Sequence, residues 1–201
     1  MNIKYTAIIC ACLGLGLMTK VNGMSQEQQN KLDKQLSEAV YNDTLDEVKN
    51  LVRQGANVNT TNKHGTPLLL IAILFKDEEI AKYLIANGAD IHTPIADGIT
   101  FLMAASNYAH LFELVKFLVE NGADINLTDK KGRTALSIAQ SNSKNDCYTA
   151  EDRQKFAKIA EFLEDPYKYK LSRQLVVIKD TKGNRSAGGP DVNFKFVNNQ
   201  K

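Results

Sequence analysis

The side chains best suited to chemistry in this 201-residue chain are few and scattered. Histidines stand only at 64, 92 and 110. No two are spaced as His-x3-His, which would bring two imidazoles to one helix face and onto one metal ion. Cys147 sits in the polar run SNSKNDCYTAED, with no histidine implied beside it to take its proton. It reads as a plain thiol rather than a nucleophile. The acidic residues fall on solvated helix faces and in turns, and no GxGxxG, phosphate-binding loop or HExxH motif occurs. No metal, no cofactor and no catalytic constellation is expected, and the chain reads as a non-enzyme.

The elements that would have to position any site are more telling. A turn is written three times: QGANVN at 54–59, NGADIH at 87–92 and NGADIN at 121–126. Ahead of these turns lie LDEVKNLVRQGAN, EEIAKYLIANGAD and FELVKFLVENGAD. In the third, Leu111, Leu114, Val115 and Leu118 recur at the spacing of one helix face. Gly122 then ends the helix in the left-handed conformation that glycine adopts without steric cost. Thr66, Thr100 and Thr134 recur in GTPLLLIAI, GITFLMAAS and GRTALSIAQ. Each is expected to cap a shorter first helix, with Pro67 at the first helical position. Small residues such as Ala72, Ala104, Ala105 and Ala139 let that helix pack closely on its neighbours. A fourth amphipathic stretch, RQKFAKIAEFLED, lacks the glycine turn. The turn recurs because each unit must end its second helix and redirect the chain in the same way.

The period and these residues resemble the ankyrin repeat and its T-P-L-H-x-A signature, with Gly65-Thr66-Pro67-Leu68 and Asn87-Gly88-Ala89-Asp90 as the clearest matches. The resemblance covers roughly residues 30 to 165, about four units. It implies an all-α repeat solenoid of stacked helix-turn-helix units. The signature histidine is absent, with Leu69, Met103 and Ser137 at its place, so contacts between units are expected to be more apolar. Units two and three are expected to carry about one extra residue between their helices, and unit four a polar insertion from Ser141 to Asp152. The first unit, 31–62, has a charged opening helix that suits an N-terminal cap.

The ends read differently. Residues 1–23 have the layout of a secretory signal peptide: a basic start, the uncharged run YTAIICACLGLGLM, and a small-residue site before a cut after Gly23. Cleavage would leave equal numbers of basic and acidic residues and Cys147 as the sole thiol. That argues against electrostatic capture of nucleic acid, against an internal disulfide, and against stable membrane insertion once the segment is removed. The repeat domain is expected at 24–165. Residues 166–201 form a basic C-terminal extension, with eight basic residues against two acidic ones. LVVIKD and VNFKFVN in it alternate like strands, so a β-hairpin, a disordered tail or an arm for an acidic partner all fit.

The resemblance implies binding of another protein by the concave face built from turn tips and first helices. The candidate partner-binding residues are Lys63 and His64 at one tip, Ile95, Asp97 and Ile99 at the next, and Lys130, Lys131 and Arg133 at the third. Phe75, Tyr108 and Asn142 stand at the ends of the first helices. A free monomer is expected, because four units suffice for a stable stack. The signal layout points to the periplasm, or to secretion. The resemblance then implies an inhibitor or immunity protein, a scaffold or stress-defence accessory, or a secreted effector that binds a host protein.

Overall fold

A computed structural model describes residues 25–166. The chain divides into two units between residues 164 and 165, and every helix of the described residues belongs to the first. The signal segment expected at 1–23 and, apart from Pro166, the extension with its hairpin at 166–201 lie outside the described residues.

Among the described residues the fold is all helical. Eight α-helices run in order: α1 Gln26–Tyr41, α2 Leu45–Arg53, α3 Leu68–Phe75, α4 Glu78–Ala86, α5 Phe101–Ser106, α6 Phe112–Glu120, α7 Ala135–Ser143 and α8 Ala150–Glu164. A short 3₁₀ turn covers Ala96–Gly98. The helices pair within each unit, and the pairs stack. First helices α1, α3, α5 and α7 form one layer; second helices α2, α4, α6 and α8 form the other. This is the expected all-α repeat solenoid. The core lies between the layers, where Leu36, Leu69, Ile80, Leu84, Leu102, Leu114, Leu118 and Phe156 are shut off from water. Helix α3, LLLIAILF, has no polar side: Leu68, Leu69, Ile71, Ala72 and Ile73 are buried against α1 and α5 in its own layer and α4 beneath, while Leu74 and Phe75 stay exposed.

The repeated glycine turn has one physical form in all three copies. The N–H groups of Gly55, Gly88 and Gly122 donate to Val52, Ile85 and Val119. Those of Ala56, Ala89 and Ala123 donate to Leu51, Leu84 and Leu118, all at 3.0 Å. Each pair satisfies carbonyls that a helix end leaves open, and each requires the positive φ these glycines adopt, 101°, 91° and 92°.

The first helices correct the expected register. Thr100 and Thr134 cap α5 and α7, accepting from Met103 and Ser137 N–H at 3.1 Å. Thr66 does not cap. Pro67 holds the N-cap place of α3, and Leu68 is its first residue. Unit two therefore starts its helix one residue later after Thr66 than units three and four do after their threonines. The place of the signature histidine, three residues after each threonine, stays at Leu69, Met103 and Ser137, with Leu69 and Met103 both buried. Thr66 to Gly88 and Thr100 to Gly122 span the same length, and the longer of the two connections between paired helices is that of unit three. Its caps are Thr100 and Leu111, one residue further apart than Pro67 and Asp77 in unit two.

Half of the polar insertion of unit four is helical. Its start completes α7, its end opens α8, and Thr149 accepts from Asp152 N–H at 3.1 Å. Arg153 ties back to Asp146 at 2.6 Å. Helix α8 closes the array with Phe156, Ile159, Phe162 and Leu163 buried, Phe162 edge-on to Phe112 at 5.9 Å.

Candidate functional site

The tips are built from one repeated bond. Asn62, Ile95 and Asp129 each donate their N–H to the carbonyl four residues on, at Thr66, Ile99 and Arg133. At the first tip the Asn62 side-chain oxygen accepts from His64 and Thr66 N–H at 2.9 and 3.0 Å. At the third, buried Asp129 does the same for Lys131 and Arg133, both at 2.9 Å, and also receives the Arg133 guanidinium. These backbone bonds and the guanidinium hold its carboxyl below the usual carboxylate range. The middle tip turns differently, with Asp97 and Gly98 both at positive φ, 62° and 76°. A Cβ on Gly98 would stand 3.4 Å from the Asp129 Cα, so glycine there also permits tip-to-tip contact. Lys130 completes that contact, its N–H on the Asp97 carbonyl at 2.9 Å and its Nζ on the Asp97 carboxylate at 2.8 Å.

Between these tips and the first helices runs a groove of about 330 Å³. Leu70 and Leu74 of α3, Met103 and Ala104 of α5, and Ile138 of α7 form its helical wall. Ile95, Ala96 and Ile99 of the middle tip form the other, with Asp97, Asn107, Tyr108 and Arg133 at the rim. Beyond Leu74 the apolar surface continues onto Phe75, the last residue of α3, and Tyr41, the last of α1. Their rings meet edge-on at 5.2 Å. Tyr41, Leu74 and Phe75 are 64%, 47% and 49% exposed, and only Leu127 is a further exposed large hydrophobic among the described residues.

Of the candidate residues, the groove brings together Ile95, Asp97, Ile99, Tyr108 and Arg133. Phe75 stands on the adjoining strip rather than in the groove. Lys63, His64 and Lys131 are exposed on tips outside the lining. Lys130 is engaged with Asp97, and Asn142 donates to Asn107 at 3.0 Å. Sequence reasoning missed Tyr41 and Ile138 and gave no weight to Leu70 and Met103 as lining. The signal for Tyr41 was its place at the end of a first helix, as Phe75 ends the next.

The groups capable of chemistry are dispersed. His64 and His92 lie in different turns, His110 precedes α6, and Cys147 is exposed between α7 and α8. Among the described residues no three His, Cys, Asp or Glu side chains gather to hold a metal ion. Asp77 caps α4; burial, and then the neighbouring Asp43 side chain, raise its pKa. No helix of the described residues is long and apolar enough to cross a membrane.

An apolar groove with a polar rim thus lies on a stack of helix pairs. The family model for ankyrin repeats in three copies matches residues 15–95 and again 69–150, and the chain belongs to the ankyrin-repeat family. Domains of this kind are typically non-catalytic and serve protein–protein interaction. No curated protein matches the chain.

Proposed function

We propose that this protein binds a partner protein across the groove and the adjoining Tyr41–Leu74–Phe75 strip, and does so in the cell envelope as an inhibitor or immunity protein. The observation that carries the binding surface is the gathering of three of the four exposed large hydrophobics at the ends of α1 and α3, beside the groove. Scattered exposed apolar residues are ordinary, whereas a contiguous patch against a cleft marks an interaction site. Aromatic side chains anchor interfaces, and Phe75 and Tyr108 stand where a partner would meet them. The envelope location rests on the signal-like segment at 1–23. Inhibition fits a stack that presents a preformed surface and can block an active site by occupying it.

Affinity capture from envelope extracts with tagged protein starting at Met24 tests this reading. One dominant stoichiometric partner that loses its activity in the complex supports inhibition. A partner that stays active makes the role that of an accessory or scaffold. Recovery of nothing from the producer's own envelope favours a secreted effector with a target outside the cell. Charge reversal at Lys131, or Phe75→Ala with Tyr108→Ala, should weaken capture without unfolding. If all three changes leave capture intact, this face is the wrong surface.

A further inference from the structure

The tips differ in charge from the rest of the array. Residues 25–166 hold fifteen Lys and Arg against twenty-one Asp and Glu. Much of the acid lies in the first turns of the second helices, as at Asp46, Glu47, Glu78 and Glu79. The tips carry Lys63, Lys130, Lys131 and Arg133 against Asp97 and Asp129, and α3 ends at Lys76 beside Asp77. Two of the cations there are already matched, Lys130 to Asp97 and Arg133 to Asp129. Lys63, Lys76 and Lys131 are exposed and, among the described residues, stand in no ion pair. Lys76 sits at the mouth of the groove, its Nζ 5.8 Å from the centre of the Tyr108 ring. Its backbone is held at φ 66° as the left-handed end of α3, which fixes where the side chain starts.

Resting on the protein-binding reading above, we infer that the partner segment taken here is acidic and seats one or two large apolar side chains in the groove. The cleft is at the small end of the ligand-site range of about 300–1,000 Å³, so it suits anchor side chains with the backbone left outside. An acidic segment gains Lys76 at the mouth and Lys131 on the tip that supplies Arg133, with Lys63 exposed on the first tip. A basic one meets like charge there, which disfavours wrong partners and slows their approach.

The test pans a phage-displayed random 16-residue peptide library against the full chain. Enriched sequences are then made as labelled peptides and titrated by fluorescence anisotropy. The expected pool is net negative with a Leu, Ile, Phe or Trp anchor. Its affinity should fall about tenfold or more in K63E/K76N/K131E and again as salt is raised, because rim charges are screened. Asparagine is chosen at 76 because it tolerates the left-handed backbone. Ile99→Arg, which puts a cation into the apolar wall, should abolish binding, with circular dichroism to confirm that the fold remains. A neutral or basic pool that still loses binding in Ile99→Arg overturns the acidic specificity while leaving the groove as a protein-binding site. An acidic pool indifferent to both variants overturns this inference and the assignment of the site together. No enrichment at all overturns the short-segment reading.

Discussion

Replacing Thr66, Thr100 and Thr134 by alanine, one at a time, separates three residues that look equivalent in the sequence. Thr100 is 5% exposed and its hydroxyl accepts from the Met103 N–H at 3.1 Å. Helix α5 has only six residues, so this cap serves a large share of its open N–H groups. Loss of an N-cap costs about 0.5–2 kcal/mol. A buried donor left unpaired costs about 1–3 kcal/mol. Thr100→Ala should therefore cost about 2 kcal/mol, since water reaches the freed N–H poorly. Thr134 makes the same bond in a reciprocal capping box with Ser137, but that site is open to water. Thr134→Ala should cost about 0.5–1 kcal/mol. Thr66 caps nothing, and its change should cost less than about 0.5 kcal/mol. At roughly 3–4 °C per kcal/mol for an array of this size, Thr100→Ala lowers Tm by about 6–8 °C and Thr66→Ala by under about 2 °C. Thermal melts followed by far-UV circular dichroism measure this directly. Equal losses for Thr66 and Thr100, or a Thr100 loss under about 0.5 kcal/mol, would refute the register and the reasoning from burial.

The same geometry sets other outcomes. Gly65 and Gly98 share φ of 76°, but only Gly98 faces backbone within 4 Å, so Gly65→Ala should cost about 1 kcal/mol and Gly98→Ala more, read as urea midpoints. Phe112 is 8% exposed, edge-on to Phe162 and 4.3 Å under the Lys158 Nζ, so Phe112→Ala should cost about 3–4 kcal/mol. Phe75→Ala, on the half-exposed strip, should cost at most about 1 kcal/mol while lowering partner capture. Asp90 is held below the usual carboxylate pKa by the Thr93 hydroxyl and then by His92 N–H; Asp129 is also lowered. Their contribution is present above about pH 4 and is lost as pH falls through their folded pKa values. Asp77, whose pKa is raised, acts with the opposite sign, favouring the fold at low pH and losing that contribution as pH rises through its folded value. Tm should thus fall on acidification below about pH 4, and Asp129→Asn should flatten that fall while keeping the turn, as Asn62 does at the first tip.

The fold was legible because its signals are local. Glycine at the end of each second helix and the apolar stripe ahead of it follow from helix geometry alone, and the structure reproduces them bond for bond. What misled was also local. A threonine reads as a cap wherever it precedes an apolar run, yet Pro67 displaces Thr66 from that role by one residue. The tips were legible as loops, but their internal pairings were not. Lys130 and Asp97 are 33 residues apart in sequence and meet only because units stack. That contact turns two candidate partner-binding residues into a tie between units. The groove wall was the least visible part, because Leu70, Met103 and Ile138 carry no signal that separates a core side from a cleft side within a helix apolar on several faces.

The central claim is that the first-helix face, not the second-helix layer, meets the partner. Site-specific photocrosslinking in the producing cell tests it most directly. A photoreactive phenylalanine analogue would replace Tyr41, Phe75 or Tyr108 on one face, and the exposed Asn50, Ala86 or Glu120 on the other. A discrete protein adduct is expected from the first three positions and none from the last three. Adducts from Asn50, Ala86 or Glu120, with the strip and groove silent, would contradict it.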